Sequence, residues 1–482
     1  MLSRLSPRLV AIPLTALALT FAPPSARACG GGMFTLATET ETTTLSGHRV
    51  AISISTDQTV LWDQIQYQGD PKDFAWVMPV KAGATLGLGS DAWLEALDAA
   101  TATVVASPRI DCFTGSGSPP PSGGCSGSTD RAAGSSLGDG LQEKDAAVVV
   151  THSATVGPYD TVTLSSSTPG ALGQWLDMHG YAIPADVKPI LDDYAAQGFD
   201  FIAARLTPGQ GVAQIKPLRV VTKGALTTFP MRMLAAGAKK NVALSLFVVT
   251  EGRSSIKGFP SATITGADLT WDFDKHASDY ADVRAKKLAA ESGRTFLTTY
   301  AAPRTLLAPL PDSQPAIPSI VDGFFARALD NQESGAACAS DFTKYAESTA
   351  RVASTPGAGE TDPSVFSCGK VDDLGVALTG LHPNDVWVMR FDANLPREAL
   401  TADLTIEPLA SDQTPVQSHI VAEKSLNQSC SNAAAASIAP ARPRRSPPRD
   451  ASIAAALLGL GLAFTRRFAR SGRARAIKPA ST

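Results

Sequence analysis

Residues 50–67 read VAISISTDQTVLWDQIQY, and the fold class follows from them. β-branched and apolar residues alternate with polar ones at a period of two, the pattern of half-buried strands. Gly69-Asp70-Pro71 has turn chemistry, and Phe74–Val80 (FAWVMPV) is apolar without a break, as in a strand covered on both faces. Ser90-Asp91 then caps a helix that presents Trp93, Leu94 and Leu97 on one side. The order strand, strand, helix recurs after a Gly/Ser/Pro-rich insertion at 107–145. Strands are expected at 146–152 and 159–165, followed by a helix opened by Thr168-Pro169. That helix carries Leu172, Trp175 and Leu176 and stops at Gly180.

Further along, a helix is expected at 185–197, then strands at 199–206, 212–222, 226–234 and 241–250. A helix over 279–291 and a strand over 294–300 follow, and 371–392 and 398–408 read as mostly extended. The body is therefore a β-rich α+β fold of strand-strand-helix units, in one or two lobes, with a long Gly/Ser/Pro loop insertion. The boundaries read as a main body over 29–302, a Pro-rich linker over 303–318 and a C-terminal lobe over 319–430.

Composition narrows the function classes. The 482 residues carry a net charge of −3, with 18% charged and 44% hydrophobic residues, so neither wholesale disorder nor a polytopic membrane protein fits. The charge is unevenly placed. Residues 1–28 hold three arginines and no acid, and 441–482 hold nine arginines and one lysine against Asp450. The stretch between them is left at −15, an acidic body with a basic segment at each end, and it offers nothing to nucleic acid.

Each basic end reads as a processing or sorting signal. Arg4 and Arg8 precede an apolar run over Leu9–Ala22, and Ala26-Arg27-Ala28 is a small-x-small cleavage site, so 1–28 reads as a signal peptide. Cleavage after Ala28 makes Cys29 the first mature residue. The other reading of that cysteine is acylation, against which stand Ala26 at −3 and Arg27 at −2. At the far end, 431–450 is an Ala/Pro/Arg-rich spacer, 451–465 (ASIAAALLGLGLAFT) is apolar and transmembrane-like, and 466–482 is a basic tail. Fifteen helical residues reach about 22 Å, short of the roughly 30 Å hydrocarbon core. The succession of Cys430, spacer, short apolar helix and arginine cluster resembles the C-terminal sorting tags of myxobacterial surface proteins. A single weak membrane anchor with a cytoplasmic tail is the other reading.

The six cysteines contain no C-x-x-C pair, which argues against a zinc ribbon or a thioredoxin-type couple. In an exported chain, local disulfides Cys112–Cys125 and Cys338–Cys368 are expected, leaving Cys29 and Cys430 beside the processing signals. Closing loops of 14 and 31 residues contributes about 3–4 kcal/mol each in the chain-entropy account.

Motifs with chemistry are few. Gly134-Ser135-Ser136-Leu137-Gly138 has the G-x-S-x-G form but sits in a Gly/Ser loop rather than on a strand-to-helix elbow. Gly30-Gly31-Gly32 lacks the Lys-Ser/Thr of a phosphate loop, and no cofactor is expected. The best metal-ligand candidates are Asp272, Asp274 and His276, with Asp279 and Asp282 close by. Acids at a helix start are the competing explanation, and the better supported one. No catalytic residue stands out.

Gln64–Asp70 with Phe74–Val80, Val156-Gly157-Pro158-Tyr159-Asp160, Trp175-Leu176 with Gly180-Tyr181 and Pro184, Gly198–Phe201, and Trp387–Arg390 with Leu395-Pro396 form a set of runs. Together they resemble the bacterial domain of unknown function 2330. The resemblance spans roughly 28–410. It implies an exported bacterial envelope protein and assigns no activity. The expected role is structural or binding at the cell surface, with the membrane engaged through the C-terminal segment and an unknown protein or glycan as ligand. An envelope hydrolase with carboxylates assembled only in three dimensions is the alternative. Non-reducing peptide mapping of exported protein is expected to recover the 112–125 and 338–368 links, and free thiols at either pair overturn that pairing.

Overall fold

The computed structural model describes residues 32–34, 44–68, 74–109, 144–145, 147–181, 183–211, 214–236, 240–303, 319–333, 373–381, 385–409 and 412–428. The six cysteines, the signal-like segment 1–28, the G-x-S-x-G run, and the spacer, apolar segment and basic tail lie outside them, as do most of the 107–145 insertion and the 303–318 linker.

In chain order the elements begin with β1 (Gly32–Phe34), the hairpin β2 (Thr44–Ile54) and β3 (Gln58–Gln68), β4 (Phe74–Lys81) and β5 (Thr85–Leu88). Helix α1 (Asp91–Thr101) leads to β6 (Val104–Ala106), β7 (Lys144–Asp145), β8 (Val148–Val156) and β9 (Tyr159–Ser165). Helices α2 (Ala171–Met178) and α3 (Lys188–Ala196) precede β10 (Phe199–Leu206), β11 (Leu218–Lys223) and β12 (Thr228–Phe229). A 3-10 turn, Met231–Ala236, leads into β13 (Asn241–Glu251), β14 (Ser254–Lys257), β15 (Ser261–Ala262), β16 (Thr270–Asp272) and β17 (Ala277–Ser278). Then come α4 (Tyr280–Gly293), β18 (Phe296–Pro303), α5 (Ile320–Asp330), α6 (Asp373–Leu378), β19 (Val386–Pro396), β20 (Leu404–Pro408), β21 (His419–Val421) and β22 (Lys424–Leu426).

Two large sheets organise these elements. The first is an eight-stranded mixed sheet in the order β15-β18-β19-β13-β2-β3-β11-β5, with β13–β2 and β15–β18 parallel. The second is a six-stranded antiparallel sheet, β1-β4-β10-β9-β8-β7. One face of the first sheet buries Ala51, Val60, Trp62, Phe247, Val249 and Val388 against α1, α5 and α6. Over β2, β13 and β19, its other face meets a small sheet, β12-β20-β14, through Phe229, Ile256, Leu404 and Ile406. Over β3 and β11 that face meets the six-stranded sheet, where Ile65, Leu218 and Val220 pack on Trp76, Met78, Val80 and Ile202. The outer face of the six-stranded sheet is covered by Leu172, Trp175 and Leu176 of α2 and Leu191 and Tyr194 of α3. The layers therefore run helices, sheet, sheet, helices. Strands buried on both faces account for the unbroken apolar run of β4.

Local expectations and structure agree at several caps. Ser90 accepts a hydrogen bond from the Trp93 N–H at 3.3 Å and opens α1. Gly180, at φ +76°, follows the end of α2. Other expectations need correction. The apolar run at 226–234 forms only the two-residue β12 and then a 3-10 turn, because Pro230 interrupts the ladder. The stretch 371–392 holds α6 as well as the start of β19. β18 and β19, on either side of the 303–318 linker, pair antiparallel in one sheet, so the chain before and after it builds one structure rather than two lobes.

One buried carboxylate joins much of the helical layer to the first sheet. Asp373, the first residue of α6, accepts from Trp62 Nε1 of β3 at 2.7 Å, from the Ser90 N–H at 2.6 Å and from Arg219 Nη1 of β11 at 2.9 Å. Burial pushes its carboxyl above the ordinary value, and Arg219 with the N–H donors pulls against that. Removing one partner of such a pair leaves the other charge buried and unmatched. Asp373→Ala is expected to cost about 3–5 kcal/mol in urea unfolding. Asp373→Asn, which keeps an acceptor for one of the two donors Trp62 and Ser90, is expected to cost less.

Candidate functional site

The aspartates around residue 276 are occupied by the turn they build. Asp272 Oδ1, at the end of β16, accepts from the Asp274 N–H at 3.0 Å, the Lys275 N–H at 3.3 Å and Asn427 Nδ2 at 3.0 Å. Its other oxygen meets Lys275 Nζ at 3.0 Å, and Lys275 and Asn427 bring the carboxyl down to about 2. Asp274 and His276 are exposed, and His276 closes the turn at φ +49°. Asp279 caps α4 but sends its carboxylate to the Thr270 N–H at 2.8 Å, while Asp282 stands in the first turn of the helix. Among the described residues, no three His, Cys, Asp or Glu side chains stand together as a metal-binding group. The structure thus puts Asp272, Asp274 and His276 on one turn without converging them on a common point.

Two other places hold more chemistry. The first lies under α4. Arg284 of that helix reaches Asp392 of β19 at 2.8 Å, and Asp392 also accepts from Arg390 Nε at 3.2 Å. Arg390 in turn meets Asp98 of α1 at 2.8 Å and lies over the Phe247 ring. Burial works to raise the Asp392 carboxyl, but Arg390 and Arg284 outweigh it and hold the group below its ordinary 3.8. This network fixes α4 above the ends of β2, β13 and β19 and leaves a groove of about 690 Å³. Its polar wall includes Asn241, Ser245, Arg284, Ser292 and Asn394, and its apolar wall includes Leu288 and Pro396. No carboxylate or thiol belongs to the described residues lining it. At the groove edge the helical course of α4 breaks at Ala290, and Glu291 and Ser292 adopt left-handed backbone at φ +51° and +58°. Each left-handed non-glycine residue costs about 1–2 kcal/mol, which the surrounding structure must hold.

The second place is a cavity of about 80 Å³ between the two large sheets. A β-bulge in β2 between Leu45 and His48 shifts the register, and His48 meets Asp63 of the neighbouring β3. Their Nδ1···Oδ1 separation is 2.5 Å, and the two side chains are 1% and 9% exposed. A carboxylate can only accept, so Nδ1 carries the hydrogen, and in the neutral imidazole Nε2 has the lone pair. Nε2 is buried and has no hydrogen-bond partner among the described residues. Trp76 and Met78 of β4, with Met231 and Met233 of the 3-10 turn, complete much of the wall. Nothing in the local spacing marks this pair, since fifteen residues separate its members. The readable signal is phase: His48 alternates with Val50 and Ile52, and Asp63 with Leu61 and Ile65, which places both polar groups on core-facing positions.

Residues 23–305, more than half of the chain, match the model of a family described as an uncharacterized protein conserved in bacteria, the domain of unknown function 2330. The chain belongs to that family. No curated protein and no solved structure matches it. In this domain-of-unknown-function-2330 protein, His48, Asp63, Met231, Met233 and Arg284 all fall inside the matched region, whereas Asp373 and Asp392 lie beyond it. The Trp387–Pro396 run also lies beyond the match, yet it forms β19, paired to β13 and β18.

The Asp392 network has a pH signature. Because the folded-state value is depressed, its contribution is complete above the ordinary carboxylate value and is lost as pH falls through the lower folded value. The stability gap between wild type and Asp392→Asn in urea is expected to be constant above about pH 5 and to narrow below about pH 4. A gap that widens on acidification contradicts this assignment.

Proposed function

We propose that this protein is exported to the bacterial envelope and serves there as a binding protein, taking a ligand into the groove under α4 without catalysing a reaction. The observation that carries this reading is the groove itself. Its volume of about 690 Å³ falls in the range of small-ligand sites, and its polar side chains are amides, hydroxyls, the His48 imidazole and one guanidinium. Such a lining suits an uncharged ligand rich in hydroxyl and amide groups, as a glycan is, and it supplies neither a carboxylate acid nor a thiol nucleophile. Export is supported by the charged, apolar and small-x-small succession over 1–28, and membrane engagement by the apolar 451–465 segment before Arg466-Arg467. Among the described residues, no helix is long and apolar enough to cross a membrane.

The envelope-hydrolase alternative draws on one feature, the His48–Asp63 pair, an acid and an imidazole in contact away from solvent. Against it, the cavity they face is small and its described lining includes no Ser, Thr or Cys to act as nucleophile. The carboxylates Asp373 and Asp392 are each matched by arginine.

Deleting residues 2–28 is expected to leave the protein in the cytoplasm of the producing bacterium, while the full chain fractionates with the envelope. Ala285, exposed on the groove wall, offers a way to fill the groove from a surface position. Ala285→Trp is expected to weaken calorimetric binding of soluble envelope glycan fragments by about tenfold, or about 1.4 kcal/mol. Glycan turnover, or binding that the tryptophan leaves unchanged, overturns the groove reading.

A further inference from the structure

We propose that the cavity between the two sheets is a binding site for a soft monovalent cation, Cu(I), held by the His48 imidazole and the thioethers of Met78, Met231 and Met233. Three of the chain's seven methionines line this one small cavity, on the same wall system as His48. They come from separate parts of the packing: Met78 belongs to the core between the sheets, Met231 to that under the small sheet and Met233 to that under α2 and α3. All three are at most 7% exposed. Methionine often serves as a gap filler in cores, which accounts for their burial. It does not account for three of them lining one cavity together with a histidine whose buried Nε2 has no hydrogen-bond partner among the described residues.

The turn that delivers two of them is held from outside. Arg232, between Met231 and Met233, reaches Asp193 at 2.6 Å and Asp403 at 3.3 Å, and its guanidinium lies 4.4 Å from the Tyr194 ring centroid. With the middle residue tied to these partners, its two neighbours are left to the buried side.

The donor set selects the ion. Thioether and imidazole are soft to borderline ligands and suit Cu(I), whereas Mg²⁺ and Ca²⁺ require several oxygens. Asp63, the one carboxylate among the described residues on the wall, is engaged with Nδ1 of His48. That arrangement matches the outer-shell pattern of metal-bound histidines, in which a carboxylate fixes the tautomer and turns the other nitrogen toward the metal. Binding is simple coordination, with no bond broken and no electron transferred. The cavity shares His48 and Leu244 with the groove under α4, but the three methionines line the cavity and not the groove, and the proposal does not rest on the groove's function.

The test uses the full chain with its thiols blocked by N-ethylmaleimide, since free cysteines also take up Cu(I). Under anaerobic competition with bicinchoninate, one equivalent of Cu(I) is expected to bind, with both sulfur and nitrogen scatterers in its X-ray absorption spectrum. The Met231→Leu/Met233→Leu double variant, which conserves volume and leaves Met78 as the one thioether, is expected to lose most of the sulfur scattering and to bind at least about tenfold more weakly. Asp63→Asn is expected to weaken binding by about 10–100-fold, and Ala285→Trp in the groove to leave it unchanged. Absence of stoichiometric uptake, or uptake indifferent to the methionine substitutions, overturns the proposal. So does a cavity that is stabilised by a neutral donor such as isobutanol but ignores Cu(I). Should His48→Gln fail to fold, the methionine pair decides the question by itself.

Discussion

A single desolvated carboxylate holds the helical layer in register with the sheet beneath it. Asp373 arrives at the start of α6 and is met by a tryptophan from β3, an arginine from β11 and the backbone at the cap of α1. None of these groups is adjacent to another in sequence. A buried ionised group tolerates few geometries, because every lost donor exposes the cost of desolvation. The hydrophobic contacts of Trp62, Trp93 and Phe324 around it supply more burial, but they are less directional: Trp62 and Trp93 sit tilted at 5.7 Å, and Trp93 meets Phe324 edge-on at 6.1 Å.

The same rule extends across the molecule. Asp392 is matched by Arg390 and Arg284, and Asp403 by Arg232. Asp63 differs from these: its close partner is an imidazole, whose second nitrogen is buried with no hydrogen-bond partner among the described residues. Where Asp373, Asp392 and Asp403 are neutralised in place by arginine, Asp63 is left to polarise a ring beside an apolar cavity. That difference sets the cavity apart from the rest of the core as a chemical environment.

Much of the fold was legible from local pattern. The alternation over 50–67, the Ser90 cap, the stop at Gly180 and the helix near 279–291 each rest on short-range physics that the structure retains. The failures have a common cause. Residues 226–234 are apolar enough for a long strand, but Pro230 and the need to seat Met231 and Met233 turn the chain instead. A Pro-rich stretch over 303–318 reads as a boundary, while sheet order depends on pairing that composition does not encode. The site was less visible than the fold. Asp272, Asp274 and His276 attract notice because they are close in sequence, whereas His48 and Asp63, or Asp373 and Trp62, become neighbours only through cross-strand and interlayer packing.

The place of β19 has a consequence for how the molecule is made. It lies between β18 and β13, both of which precede it by more than eighty residues of chain. As the polypeptide emerges from its amino end, those two strands are complete while the slot between them is open, with unpaired backbone on either side. The sheet cannot close until residue 396 is available, and the pairing that closes it is long in range and therefore slow. Two sticky inner edges wait in the meantime, the kind of surface that invites pairing with the wrong chain. A fragment ending near residue 305, where the family match stops, would keep that vulnerability permanently, so the region shared with the family is not a self-sufficient folding unit in this chain.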